Sequence, residues 1–180
     1  MNALKPASNT LLRPATTGDV AAITRIYADA VINGTASFEL TPPDEAEMTQ
    51  RYETLVGGGY PYFVAELSGS IAGYAYAGPY RTRPAYDWTV EDSIYVAPEF
   101  HRRGIGLALL KRLIAECEQL GFRQMIAVIG DSAQLPSIAL HRAAGFEPVG
   151  TFRSIGFKHG KWLDTPLMQI ALGKSDTAPP

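Results

Sequence analysis

A chain of 180 residues, 46% hydrophobic and with a formal net charge of -2, is long enough to bury a sizeable core and lacks the broad basic face that nucleic acid requires. Cys117 is the only cysteine, so no disulfide can form within the chain, and no apolar run reaches the length of a membrane span. The expectation is one soluble domain in a reducing cytoplasm, without nucleic-acid or membrane partners. His101, His141 and His159 are too scattered to suggest a metal site.

Residues 1–10 are polar and unpatterned and read as a flexible N-terminus; 173–180 read as a flexible tail, leaving 11–172 as the domain. Leu11 to Arg13 suits a short first strand. Thr16-Thr17-Gly18-Asp19 then offers a cap to a helix that carries Val20, Ile23, Ile26, Tyr27, Ala30 and Val31 on one face and stops near Gly34. Thr41 is expected to cap a second helix, with proline in its first turn, Met48, Tyr52 and Leu55 on its buried face, and Gly57-Gly58-Gly59 at its end. From Tyr62 the period becomes two. Tyr62–Leu67 and Ile71–Ala77 flank Ser68-Gly69-Ser70 and predict an antiparallel hairpin. The loop Gly78 to Asp87 holds Tyr80, Arg81, Arg83 and Tyr86. It is either an ordinary solvated loop or a grip for a carboxylate or phosphinate, which a guanidinium holds through two parallel hydrogen bonds.

Trp88 to Val96 is β-branched and apolar, and Pro98 ends it. His101-Arg102-Arg103-Gly104-Ile105-Gly106 follows, and then Gly106, Leu109, Leu110, Leu113, Ile114, Cys117 and Leu120 recur at helical spacing up to Gly121. Cys117 therefore reads as a core thiol. Gly104 and Gly106 open the helix, where unpaired N–H groups and the positive end of the dipole suit an anion. A tight turn with two solvated arginines accounts equally well for this segment. Gln124 to Ile129 is an apolar, interior strand. Pro136 begins a short helix with Ser137, Ile138, His141 and Ala144 on one face and Gly145 at its end. Phe146–Phe157 and Trp162–Leu172 form the last two strands.

The order of elements and the glycine loop 101–106 resemble the GCN5-related N-acetyltransferase superfamily, from whose pyrophosphate loop His101 departs at the first position. The resemblance is closer to the phosphinothricin and methionine sulfoximine acetyltransferases. It is carried by Ala77-Gly78-Pro79-Tyr80, Ala85-Tyr86-Asp87-Trp88-Thr89-Val90-Glu91, Ser93-Ile94-Tyr95-Val96, Ala127-Val128-Ile129-Gly130, Leu140-His141, Ala144-Gly145-Phe146 and Gly156-Phe157-Lys158-His159-Gly160. It implies an α/β (α+β) fold: a single-domain, mixed, mostly antiparallel central sheet flanked by helices, with a splayed cofactor cleft. It also implies a bulge in the strand of Glu91, acetyl-CoA as cosubstrate, a small-molecule amine as acceptor and a homodimer.

The same resemblance gives the residues their roles. Glu91 would deprotonate the amine, directly or through water, because burial in its strand raises a carboxylate's pKa. His141 would be the acid for the leaving thiolate or a partner base to Glu91. Backbone groups of Ile94, Tyr95 and Val96 would pair with the pantetheine arm, with an amide near Val96 meeting the oxyanion. His101, Arg102, Arg103, Gly104, Ile105, Gly106 and Leu107 would surround the pyrophosphate, with Ser137 a further cofactor contact; Gln134 stands where relatives carry asparagine. Phe38, Arg81, Arg83, Tyr86 and Thr89 would line the acceptor pocket. A peptide or protein N-acetyltransferase and a non-catalytic acyl-CoA-binding module are the competing functions.

Overall fold

The computed structural model describes residues 9–179, so most of the N-terminal segment expected to be flexible, residues 1–8, lies outside the described residues. Seven strands make one sheet in the order β1-β2-β3-β4-β5-β7-β6. They are β1 (Thr10–Pro14), β2 (Tyr62–Leu67), β3 (Ser70–Pro79), β4 (Thr89–Val96), β5 (Gln124–Val128), β6 (Glu147–Lys158) and β7 (Lys161–Ala171). Four helices flank them: α1 (Val20–Asn33), α2 (Glu45–Gly57), α3 (Ile105–Gln119) and α4 (Leu135–Ala144). Every pairing is antiparallel except β4 with β5, whose parallel alignment requires the crossover that α3 supplies.

Period-two alternation divides the strand residues between two cores. Phe63, Ala65, Ala75, Ala77 and Val90 face α3, where Ile105, Leu109, Leu110, Leu113 and Cys117 form the buried stripe. Tyr62, Val64 and Tyr74 face α1 and α2, packing with Val20, Ile23, Tyr27, Val31, Met48 and Tyr52. The start of α1 is held by Asp19, whose carboxylate accepts from the Thr16 amide at 2.8 Å and hydroxyl at 2.9 Å and from the Arg13 guanidinium at 2.7 and 2.8 Å.

Several boundaries differ from the sequence expectation for physical reasons. Asp44, not Thr41, caps α2: its Oδ1 accepts the Glu47 amide at 2.8 Å, whereas Thr41 precedes Pro42, which biases it toward extended backbone. Leu120 is 49% exposed, because α3 ends at Gln119 and its stripe closes with Cys117. Phe146 stands just before β6 and is buried, its ring perpendicular to that of His141 with centroids 5.1 Å apart. The register of β3 with β4 runs unbroken from Gly73↔Val96 to Pro79↔Val90, so the bulge expected in β4 is absent from this pairing. Residues after β7 turn back on the start of β5, where the Gln124 amide donates to the Ser175 hydroxyl at 2.9 Å.

Candidate active site

The parallel ladder of β4 and β5 is only four pairs long, from Thr89↔Gln124 to Asp92↔Ala127. Beyond Asp92, β4 continues to Val96 with no strand partner on that side, leaving peptide groups free to bond an extended ligand. A cavity of about 190 Å³ opens at this fork. Its walls are Glu91 to Tyr95, Ala127 to Gly130, Gln134, Ser137 and His141, and its roof is Ala36 and Ser37.

His141 is 5% exposed and stands one turn after Ser137 on α4. Its Nδ1 donates to the Ser137 carbonyl at 2.8 Å, with the Ser137 hydroxyl 3.4 Å away, and its Nε2 is 3.0 Å from Oδ2 of Asp92, itself buried. Burial alone would drive the imidazole pKa down; the hydrogen bond and charge of Asp92, with the Ser137 carbonyl, outweigh it and leave it raised. The partner of His141 is thus Asp92 and not Glu91. Asp92 was missing from the sequence-derived site, although an acid between Val90 and Ile94 on the face turned to α3 and α4 is a legible anomaly.

Glu91 occupies the opposite face of β4. Its pKa is raised, by burial first and then by the charge of Asp92, against a smaller opposing effect of Arg81. A carboxyl group so placed takes up a proton more readily than an exposed one, as a base acting on an ammonium must.

The two glycines of the loop do different work. Gly104 has φ +75 and forms the left-handed cap of α3, a conformation that side chains disfavour. At Gly106 a Cβ would lie 2.6 Å from Leu140 Cδ1, so this glycine lets α3 approach α4. The first turn leaves the amides of Ile105, Gly106 and Leu107 without an intrahelical acceptor, the Ile105 side chain being buried. Arg103 lies over the Phe100 ring at 5.5 Å, and Arg102 is exposed. His101, off the family pattern, donates from Nε2 to the Val96 carbonyl at 2.8 Å and braces the end of β4.

The roof segment between α1 and α2 passes between two glycines. A Cβ on Gly130 would lie 2.1 Å from the Thr35 carbonyl oxygen, and one on Gly156 would lie 2.2 Å from the Phe38 ring. Gln134 donates to the Thr35 hydroxyl at 3.0 Å, and Lys158 to the Ser37 carbonyl at 2.7 Å. These ties explain why the Gly-Phe-Lys-His-Gly block sits far from the fork in sequence and beside it in space. Phe38, Arg81, Arg83, Tyr86 and Thr89 are not in the cavity wall. Arg81 stacks on Tyr80 at 4.6 Å, and Tyr80 meets the edge of Tyr86 at 5.7 Å, which orders the loop outside Glu91. Among the described residues, no group of three His, Cys, Asp or Glu side chains could hold a metal, and no helix is long and apolar enough to cross a membrane.

A fork in a mixed sheet, a glycine-capped helix beside it and an acid and a histidine at its centre are the parts that an acyl-CoA-dependent transferase needs. The sequence profile of the Acetyltransferase (GNAT) family matches residues 20–146, and the chain belongs to that family. Within it, the chain is 51% identical over 162 residues to a phosphinothricin N-acetyltransferase of Alcaligenes faecalis, covering 90% of this chain and 82% of that one. It is 38% identical to the L-methionine sulfoximine/L-methionine sulfone acetyltransferase of Pseudomonas aeruginosa, covering 93% and 98%. The crystal structure of a phosphinothricin acetyltransferase from Sinorhizobium meliloti in complex with acetyl-CoA superimposes with a TM-score of 0.93 at 53% identity, covering 96% of this chain and 93% of that one.

Proposed function

We propose that the protein transfers the acetyl group of acetyl-CoA to the α-amine of a small amino-acid analogue of the phosphinothricin, methionine sulfoximine or methionine sulfone type. The observation that carries this is the convergence of Glu91 and His141 on one cavity at the fork of β4 and β5. The fork and the capped start of α3 fit the donor: the free edge of β4 at Ile94, Tyr95 and Val96 suits the pantetheine amides, and residues 101–107 the pyrophosphate, with Ser137 beside the thiol. Glu91 takes the proton of the acceptor ammonium, the neutral amine attacks the acetyl carbon in a ternary complex, and His141 serves the leaving sulfur. An amide near Val96 meets the developing oxyanion.

Arg81, Arg83, Tyr86, Thr89 and Phe38 provide the acceptor end, with Arg83 gripping the carboxylate or phosphinate. Residues 11–172 carry the activity, in the cytoplasm. The protein acts as a homodimer through the hairpin of β6 and β7, where Val149, Phe152, Ile155 and Phe157 of the edge strand β6 and Trp162 of β7 are each at least half exposed, and no other strand pairs with β6 on its outer side among the described residues. Replacing Phe152 and Ile155 together by lysine converts dimer to monomer in light scattering if this is right.

Release of free CoA thiol with a panel of phosphinothricin, methionine sulfoximine, methionine sulfone, proteinogenic amino acids and peptides tests the substrate assignment. Turnover confined to peptides, or none at all, overturns it.

A further inference from the structure

The pair Asp92–His141 lies under the fork, and the chemistry of its contacts determines where its protons sit. The Ser137 carbonyl can only accept, so Nδ1 of His141 carries a hydrogen. A neutral imidazole would then turn the lone pair of Nε2 toward a carboxylate oxygen 3.0 Å away, with both side chains buried. The arrangement that satisfies both nitrogens is a ring with two N–H groups facing an ionised carboxylate. The second oxygen, Oδ1, is buried without a partner, so no other donor disperses the charge of Asp92.

We infer that Asp92 is a positioning residue for acetyl transfer: it holds His141 as an oriented imidazolium in the cleft wall, ready for the sulfur. The inference rests on the role given to His141 above. The surroundings offer nothing else to do this. From β4, Glu91 projects from the other face; from α3, Cys117 is pushed up to about 12, by burial first, and stays a neutral thiol. Arg142 of α4 is exposed, and Phe146, its ring perpendicular to that of His141, brings no charge. Ala127 to Gly130 and the roof residues Ala36 and Ser37 bring no ionisable group.

In the transfer, a bond forms between the amine nitrogen and the acetyl carbon, and the carbon–sulfur bond breaks. The amine's proton goes to Glu91, and the leaving thiolate, its charge met by the His141 imidazolium, takes a proton from solvent, while both ring N–H groups stay on Ser137 and Asp92. Asp92 keeps the ring charged near neutral pH, so that a positive charge stands in the cleft wall when the thiolate forms.

Long-range proton–nitrogen spectra of the full chain carrying ¹⁵N-histidine test this, with His141→Gln assigning the signal among the three histidines. Wild-type His141 is expected to show two protonated ring nitrogens near neutral pH and a midpoint above 6.5; in Asp92→Asn the midpoint falls to 6.5 or below. The alkaline limb of kcat moves to lower pH with it. A wild-type ring with one protonated nitrogen near neutral pH overturns the inference, and needs no variant to fold. Equal midpoints in wild type and Asp92→Asn overturn it too. Wild-type turnover by His141→Gln removes the role given to His141, and Asp92's with it; the spectra then still report separately whether the pair holds a charged ring.

Discussion

Gly130 is where the roof of the cleft meets the chain below it, and a single methyl group there should be felt in both stability and turnover. In Gly130→Ala the new Cβ lies 2.1 Å from the Thr35 carbonyl oxygen and 3.1 Å from the carbonyl carbon and oxygen of Ala36. All three are backbone atoms, so no rotamer relieves the clash and the segment must move by more than 1 Å to reach ordinary contact. Overpacking of this kind costs about 1–3 kcal/mol. At roughly 2–4 °C per kcal/mol for a chain of this size, the melting temperature should drop by about 2–12 °C. Because Ala36 and Ser37 roof the cavity, a displacement of that order also lowers kcat/KM, by up to about 10²-fold. Gly156→Ala is the matched comparison. Its Cβ meets the Phe38 ring at 2.2 Å, but that ring is 37% exposed and can turn outward, so the acceptor KM rises while the melting temperature changes little. Differential scanning fluorimetry and the thiol-release assay read both. Wild-type melting and turnover for Gly130→Ala would refute the clamped roof, and equal destabilisation by the two variants would refute the distinction between them.

Glu91→Gln should lower kcat by about 10²–10⁴-fold and abolish the acidic limb of the pH–rate profile, which in the wild type lies above the ordinary 4.5 because the Glu91 pKa is raised; an unchanged profile contradicts the base assignment. Asp19 is held down to about 2 from 3.8, chiefly by its hydrogen bonds from Arg13, so its contribution to stability is present above pH 3.8 and is lost as pH falls through 2. Denaturant midpoints of wild type and Asp19→Asn should therefore converge over that window; parallel curves would count against the pair. Cys117, with its thiol pushed up to about 12 by burial, should resist thiol reagents in the folded protein and react fully once unfolded. Rapid labelling of the native chain would show that the α3 face opens.

Much of this was legible in the sequence because its signals are local. The two-residue period of Tyr62 to Ala77, the helical stripe ending at Cys117 and the left-handed Gly145 each depend on neighbours only a few positions away. Glu91 and His141 were reached through the family resemblance, and the fold brings them to one cavity. Asp92 escaped because its meaning depends on a partner 49 positions away, and alternation along β4 says which face it takes but not what waits there. The roof was hidden for the same reason: Gly130 and Gly156 look like ordinary turn and strand glycines until residues 34–38 are seen passing between them. The capping error at Thr41 is of another kind, a choice between two competent caps that the proline pair settles in favour of Asp44.

The four-pair seam between β4 and β5 has a consequence for how the molecule comes together. On either side of it every strand neighbour is antiparallel; across it the sheet is joined by its one parallel ladder, closed only after the crossover through α3 has formed. It is thus the line along which the two halves of the sheet hold each other least. A donor lying along the free edge of β4 would extend that line, and its contacts at the start of α3 would anchor the connector that closes it. Cofactor binding and assembly of the two halves are then one equilibrium, and slower amide exchange along β5 becomes a measure of how tightly the donor is held.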